Sequence, residues 1–336
     1  MRSIEIVNSV GYIVDRCVGV KAGEKVLLVT DTAFDQRITE VFGLLCKERG
    51  AEVAVIGFTP SRLPNEEPPA MVGGAMVRSD VIFELTSQWI SITSAKREAC
   101  AKGARYLTMA EVSLPMFLPG APAAVDFVAV APHVDRIVDM FTKAKRIRIT
   151  STAGTNLTAD LTGRQGRGVT GIANTPGSYS PNPDIEASIS PLEGSANGVI
   201  VVDGLINLIG LGRVSSPFEV IIKDGWLQEI RGTGDAAVFA DGLRQALESR
   251  QDKNIYNIAE LGMGLNPNSK FGDISIETES TIGTAHFGMG DSTGYGGKVS
   301  AKGHFDCIFR HVSLWLDDAP ILQDGKLVVP YYRSGS

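Results

Sequence analysis

Lys25-Val-Leu-Leu-Val-Thr30, a helical stretch over Arg37–Arg49 and Val53-Ala-Val-Ile-Gly57 stand in immediate succession. The two apolar runs read as buried strands, and the segment between them closes at Gly50 as a helix does before its C-terminal glycine. A strand, a helix and a strand with so little chain between them predict parallel pairing through a crossover. The same grammar repeats in Ser79-Asp-Val-Ile-Phe-Glu84 and Arg105-Tyr-Leu-Thr108, which flank a helix around Ser94–Lys102. This order predicts a doubly wound parallel sheet with helices on both faces. The turn after the first strand, Thr30-Asp31-Thr32-Ala33-Phe34, has neither G-x-G-x-x-G nor a P-loop, so no nucleotide site is read there.

Past a last helix over Val134–Ala144 the pattern changes. Arg146-Ile-Arg-Ile-Thr150 and Leu157-Thr-Ala-Asp-Leu161 form a hairpin signal around Gly154-Thr-Asn156. Residues 162–184, rich in Gly, Pro, Asn and Ser, read as a long loop. Further strands follow at Gly198–Asp203, Phe218–Lys223 and Trp226–Arg231, the last two joined by an Asp224-Gly225 turn. A helix spans Ala236–Ser249, and the remainder alternates strand with Gly-rich loop. The expected fold is an α/β N-terminal domain with a doubly wound parallel sheet (1–145), followed by an α+β, mostly antiparallel C-terminal metal-binding domain (146–336).

Bulk properties narrow the classes. The chain has 336 residues, 43% of them hydrophobic and 21% charged, with a net charge of -6. No basic footprint for nucleic acid follows from such a balance. The tract Lys143-Ala144-Lys145-Arg146 reads as a solvated helix end. Cys17, Cys46, Cys100 and Cys307 are scattered, without the spacing of a metal knuckle or a disulfide framework. The opening MRSIEIVNSVGYIVDRC reads as an amphipathic helix rather than a signal peptide, and no run approaches the roughly 18 apolar residues of a membrane span. A soluble, cytoplasmic protein acting on a small molecule or peptide, with neither nucleic acid nor membrane as partner, is expected.

The chemistry concentrates late in the chain. Glu260 lies in NIAELGMGLNP, His286 in GTAHFGMGD, and His304 with Asp306 in KGHFDCIF; Glu186, in NPDIEASISP, joins them from upstream. Residues two apart on a strand point the same way, so His304 and Asp306 can serve one ion. Glu260 is a carboxylate among apolar residues, which is costly to bury unless paired or metal-bound. Imidazole and carboxylate together suit Zn, Mn, Co or Fe(II), and five such donors exceed the needs of one open site, which makes two ions plausible. His133 and His311 lack such company and are assigned to structure.

These segments resemble the thermophilic aminopeptidase (aminopeptidase T) family of metallopeptidases. Ile185-Glu186-Ala187-Ser188-Ile189-Ser190-Pro191 is similar to its G-E-V-F-T-x-P segment, and Ala259-Glu260-Leu261-Gly262 to its next glutamate segment. His286-Phe287-Gly288-Met289-Gly290 follows its H-(I/L)-A-L-G, and His304-Phe305-Asp306 its closing H-x-D. The resemblance covers residues 145–310 and implies that Glu186, Glu260, His286, His304 and Asp306 hold two divalent ions, Zn, Co or Mn. It further implies a metal-dependent hydrolase of a peptide or small-molecule amide, working as a homodimer, with either glutamate able to shuttle the proton. The family tyrosine falls on Thr293 here, and Tyr295 is its nearest substitute for stabilising an oxyanion.

A second resemblance is to 2,5-dihydroxypyridine 5,6-dioxygenase. Ile258 to Pro267 follows its I-x-H-I-G-x-G-L-x-P segment, with Glu260 in the place of the histidine. It implies an alternative: a non-haem Fe(II) extradiol-like ring-cleaving dioxygenase with His286, His304 and Asp306 as a facial triad. A third alternative is a binding protein whose metal site has lost catalysis.

Overall fold

In the first compact unit, Met1–Ala131 with Val169–Asp184, the strand–helix alternation is realised. The computed structural model describes residues 3–60, 64–207 and 211–332. Met1 and Arg2 of the expected N-terminal helix lie outside them. Helix α1 (Val7–Tyr12) is continued by a tight turn before it (Ser3–Ile6) and a wide one after it (Ile13–Val18). Ile6, Val10, Ile13, Val14 and Cys17 are buried along it, the single apolar stripe expected of an amphipathic helix.

Strand β1 (Lys25–Asp31), helix α2 (Gln36–Glu48), β2 (Glu52–Phe58), α3 (Ala70–Met76), β3 (Val81–Leu85), α4 (Ser94–Ala101) and β4 (Arg105–Thr108) then follow. Asp35 caps α2 by accepting from the Arg37 N–H, and Thr93 caps α4 by accepting from that of Lys96. Helix α5 (Phe127–Lys143) begins seven residues before the start expected from sequence. Pro132 lies inside it and reads as a boundary. Burial of Phe127, Val130, Val134, Ile137 and Phe141 carries the helix through the proline.

The chain continues through β5 (Arg146–Ser151), β6 (Asn156–Asp160) and β7 (Arg167–Val169) to β8 (Tyr179–Pro181). β7 and β8 lie where the sequence reads only as loop. They are three residues each, too short for a periodic signal. β8 completes a five-stranded parallel sheet in the order β2-β1-β3-β4-β8. Because β8 returns to this sheet, the first unit is discontinuous, where the sequence reading sets one boundary at 145.

In doubly wound sheets the crevice beyond the strands' C-terminal ends is the usual ligand site. Here Asp31, at the end of β1, accepts from the backbone N–H groups of Ala33, Phe34 and Ser87. Glu84, fully buried on β3, accepts from the Ile90 N–H at 2.7 Å and the Tyr106 hydroxyl at 2.8 Å. Burial pushes its pKa up to about 6, against the pull of those donors.

The second unit comprises Pro132–Gly168 and Ile185–Ser336. Its later elements are β9 (Glu186–Ile189), β10 (Asn197–Val202), β11 (Leu205–Ile206), β12 (Gly212–Arg213), β13 (Phe218–Lys223), β14 (Trp226–Arg231) and α6 (Asp235–Arg250). After them come β15 (Ile258–Gly264), α7 (Ser275–Glu279), β16 (Thr284–Gly290), β17 (His304–Arg310), β18 (Val312–Leu316), β19 (Ala319–Gln323) and β20 (Lys326–Leu327). They form two antiparallel sheets, β14-β13-β10-β6-β5-β18-β19-β20 and β12-β11-β17-β16-β15-β9-β7. Asp224 and Gly225 both have positive φ, 51° and 77°, as a two-residue hairpin of the primed type requires. Among the described residues no single helix is long and apolar enough to cross a membrane.

Candidate metal centre

The centre is built on one face of four neighbouring strands, β9, β15, β16 and β17. Alternation sends Leu261, Met263, Phe287, Met289, Phe305 and Cys307 to the opposite, fully apolar face, where Phe287 packs on Phe309 at 6.3 Å between ring centroids. On the site face each donor is paired across the ladder with a glycine. Glu186 stands opposite Gly264, His286 opposite Gly262, Glu260 and Asp306 opposite Gly288, and His304 opposite Gly290.

The reason is space. A Cβ on Gly262 would stand 2.1 Å from His286 Nε2, and one on Gly288 would stand 2.4 Å from His304 Nε2. Each imidazole leans over the neighbouring strand into volume that any other residue would fill. Neither glycine has positive φ, so room rather than backbone freedom is what the glycine supplies at both positions.

Two groups of donor atoms result, each within 4.8 Å: Glu186, Glu260 and His286, and Glu260, His304 and Asp306. His304 Nε2 lies 3.1 Å from Glu260 Oε2 and 3.0 Å from Asp306 Oδ1. His286 Nε2 lies 3.4 Å from Glu186 Oε2 and 3.8 Å from Glu260 Oε1. Glu260 therefore divides its two oxygens between the groups. The structure joins Glu260, rather than His286, to His304 and Asp306, so the facial triad expected from the second resemblance differs in one member.

The donors fit a divalent cation on physical grounds. His304 Nδ1 is 2.9 Å from the Asp291 carbonyl, which only accepts, so that nitrogen carries the hydrogen. Nε2 then faces two carboxylate oxygens, an arrangement that demands a positive charge between them, either a proton or a metal ion. Among the described residues, both nitrogens of the fully buried His286 and Oε1 of Glu260 find no hydrogen-bond partner. Such orphaned polar atoms are costly in a native interior and fit donors awaiting an ion.

The electrostatics agree. Burial alone would raise Glu260; the imidazoles of His286 and His304 outweigh it and hold the carboxyl well below its ordinary range. Burial works against a charged His286, yet the carboxylates of Glu260 and Glu186 lift its pKa to about 9. His304 is likewise held well above its ordinary value by Asp306 and Glu260, against burial.

A family model described as "NicX: 2,5-dihydroxypyridine 5,6-dioxygenase" matches residues 12–329. The chain belongs to this family. Its members include the 2,5-dihydroxypyridine 5,6-dioxygenase of Pseudomonas putida KT2440, which is 25% identical over 205 residues. That match spans 56% of this chain and 55% of the relative, just over half the length of either.

In structure, the 2,5-dihydroxypyridine dioxygenase of Pseudomonas putida KT2440 aligns with a TM-score of 0.79 at 19% identity, covering 98% of this chain and 99% of the other. Wild-type AmpT from Thermus thermophilus aligns at 0.72 and 14% identity, covering 97% and 99%. At these identities the likenesses speak for the fold alone. The order of the two resemblances is thereby reversed. The dioxygenase relation is at family level, and the aminopeptidase relation is left with distant structural support.

Tyr295, expected from the sequence, lies beside the donors, and Arg167, Glu279 and Asn207, which the sequence did not mark, join it. Tyr295 stacks on His304, with ring centroids 4.4 Å apart and planes at 19°. The guanidinium of Arg167 lies over the Tyr295 ring at 4.8 Å and 3.6 Å from Glu186 Oε1. Burial and the Glu260 carboxylate raise the Tyr295 hydroxyl's pKa well above its ordinary value, so it stays a donor. Glu279, at the end of α7, places Oε1 3.7 Å from His286 Nδ1.

Asn207 follows β11 and engages Asp306. Its only signal was a lone amide in the apolar stretch Gly204-Leu-Ile-Asn-Leu-Ile-Gly210. Arg167, in Gly166-Arg-Gly168, offered none. His311 stands in the turn between β17 and β18 at a φ of 51°, away from both donor groups.

Proposed function

We propose that the chain is a metal-dependent dioxygenase of its family's type, opening a hydroxylated pyridine or benzene ring. The observation that carries this reading is the Glu260–His304–Asp306 group under the Tyr295 ring, in a chain matched by the dioxygenase family along nearly its whole length. Glu260 Oε2, His304 Nε2 and Asp306 Oδ1 would hold the ion. When bound, that ion, Fe(II) for this chemistry, supplies Lewis acidity and one-electron redox chemistry.

The chain's own residues do the rest. The Asp291 carbonyl fixes the His304 tautomer. The Tyr295 hydroxyl donates to an anionic ring oxygen, and Arg167 offsets the negative charge of Glu186 beside it.

A second reading has its own observation. The Glu186–Glu260–His286 group is a second donor set sharing Glu260, and a pair of ions there would suit hydrolysis of an amide. The experiment that separates the two is elemental analysis of protein purified without chelator, followed by oxygen uptake with 2,5-dihydroxypyridine and related hydroxylated rings. One iron per chain with ring-dependent oxygen uptake supports the dioxygenase. Two Zn, Mn or Co per chain with no uptake, and cleavage of an aminoacyl amide, would overturn it in favour of the hydrolase.

A further inference from the structure

The backbone N–H of Asn207 and both ends of its side-chain amide engage Asp306. The Asn207 N–H donates to the Asp306 carbonyl at 3.1 Å, Oδ1 accepts from the Asp306 N–H at 2.5 Å, and Nδ2 donates to Asp306 Oδ2 at 2.9 Å. The first bond belongs to the pairing of β11 with β17, where Ile206 stands opposite Cys307. The other two are made by the side chain: Oδ1 holds the Asp306 backbone N–H, and Nδ2 reaches past the ladder to the carboxylate.

This has a geometric consequence. With Oδ2 held from behind, Asp306 presents one oxygen, Oδ1, to the side where His304 Nε2 stands at 3.0 Å. An aspartate free to rotate about its last bond would offer both oxygens to a cation. Asn207 removes that freedom, and the two-point grip on Asp306 also fixes the rise of its side chain from the strand.

We propose that Asn207 is a positioning residue that holds Asp306 as a single-oxygen ligand and so keeps a coordination place open for substrate. The inference rests on the metal-centre reading of Glu260, His304 and Asp306, whichever reaction the centre performs.

Metal-stripped parent protein, Asn207→Ala and Asn207→Asp are titrated with Co(II) and followed by calorimetry and visible absorption, with thermal unfolding of each metal-free protein alongside. Asn207→Asp keeps the shape and the acceptor for the Asp306 N–H, and replaces the donor to Oδ2 with a carboxylate oxygen that repels it. Released Asp306 should turn both oxygens to the ion, raising its coordination number. The expected result is a weaker cobalt absorption band in both variants and affinity reduced on the order of 10–100-fold, the usual cost of losing a partner behind a ligand. Parent-like spectra and affinity in both variants, whatever their melting temperatures, would overturn the inference, because a purely structural Asn207 moves stability alone. Failure of the parent protein to take up cobalt would overturn the metal-centre reading and this inference with it.

Discussion

Gly262→Ala tests whether the glycines opposite the donors exist to make room for imidazoles. The new Cβ would stand 2.1 Å from His286 Nε2, 2.5 Å from its Cε1 and 2.9 Å from Ser188 Cβ. Ordinary contact begins at 3.4 Å, so the ring must retreat by about 1.3 Å. His286 is fully buried, so a retreat of that size displaces the groups packed around it. Overpacking of this kind costs about 1–3 kcal/mol, offset by about 0.4–1 kcal/mol from the stiffer unfolded chain. A net loss of about 1–2 kcal/mol in metal-free stability is expected.

The larger effect falls on the ion. Metal–nitrogen distances tolerate only about 0.2 Å, so a ring displaced by more than an ångström is lost as a ligand. Binding at the Glu186–Glu260–His286 group should weaken by at least ~100-fold. At a metal concentration of about 100 times the parent Kd, ligand-induced stabilisation would then fall from about 2.7 to about 0.4 kcal/mol. Calorimetric titration and melting with and without Mn(II) or Zn(II) measure both quantities, with Gly57→Ala, whose Cβ meets nothing nearer than 3.7 Å, as the control.

Gly288→Ala sharpens the test. Its Cβ meets His304 Nε2 at 2.4 Å and Asp306 Oδ1 at 3.0 Å, and so strikes the other group. A dioxygenase running on Glu260, His304 and Asp306 should lose turnover in Gly288→Ala and keep most of it in Gly262→Ala. Equal loss in both points to two ions. Parent-like metal binding in both variants would refute the reasoning outright.

Tyr295→Phe retains the ring stacked on His304 and removes only the hydroxyl. Metal affinity should stay within about twofold while kcat falls on the order of 100-fold, and an unchanged kcat would remove Tyr295 from the chemistry. Glu84→Gln tests a different feature, the buried acid of the parallel sheet. Its folded pKa, about 6, lies above the unfolded 4.5, so its stability contribution is intact below 4.5 and is lost as pH rises through 6. The variant, whose amide can donate to the Tyr106 oxygen, should gain about 2 kcal/mol relative to the parent between pH 4 and pH 8. Denaturant unfolding across that range checks it, and a pH-independent difference would show that Glu84 does not titrate as described.

How far these features were legible in the chain follows from how local their causes are. β1, α2, β2 and the Asp224-Gly225 hairpin announce themselves through periodicity and turn chemistry, and they lie within two residues of the expected bounds. β8 does not, because its three residues become a strand only by pairing with β4, more than seventy positions earlier. The donor residues were visible as acids and histidines in apolar, Gly-rich surroundings. The glycines themselves held more than was taken from them. In Glu260-Leu-Gly262-Met-Gly264 and His286-Phe-Gly288-Met-Gly290 glycine recurs at every second place after the donor, which marks the site face of each strand. What no local pattern contains is the register that sets Gly262 against His286, and with it the partition of donors into groups. The roles of Arg167 and Asn207 were not legible for the same reason: each arises only through a contact made on folding.

That partition makes Glu260 the residue on which the chemistry turns. The dioxygenase segment it resembles carries histidine there, and an imidazole turned to one side presents a single nitrogen lone pair. A histidine at 260 could serve the His304–Asp306 side or the Glu186–His286 side, but not both. The carboxylate sends Oε2 toward His304 and Oε1 toward His286, and so belongs to the two groups at once. Glutamate also makes the His304–Asp306 group harder, with two carboxylates and one imidazole, which shifts its preference toward oxygen-loving cations. The chain belongs to the family described as 2,5-dihydroxypyridine 5,6-dioxygenase, while the glutamate at 260 supplies the geometry a second ion would need. The extra group is therefore a property of residue 260 acting with Glu186 and His286, and it follows from the side chains rather than from the scaffold that carries them.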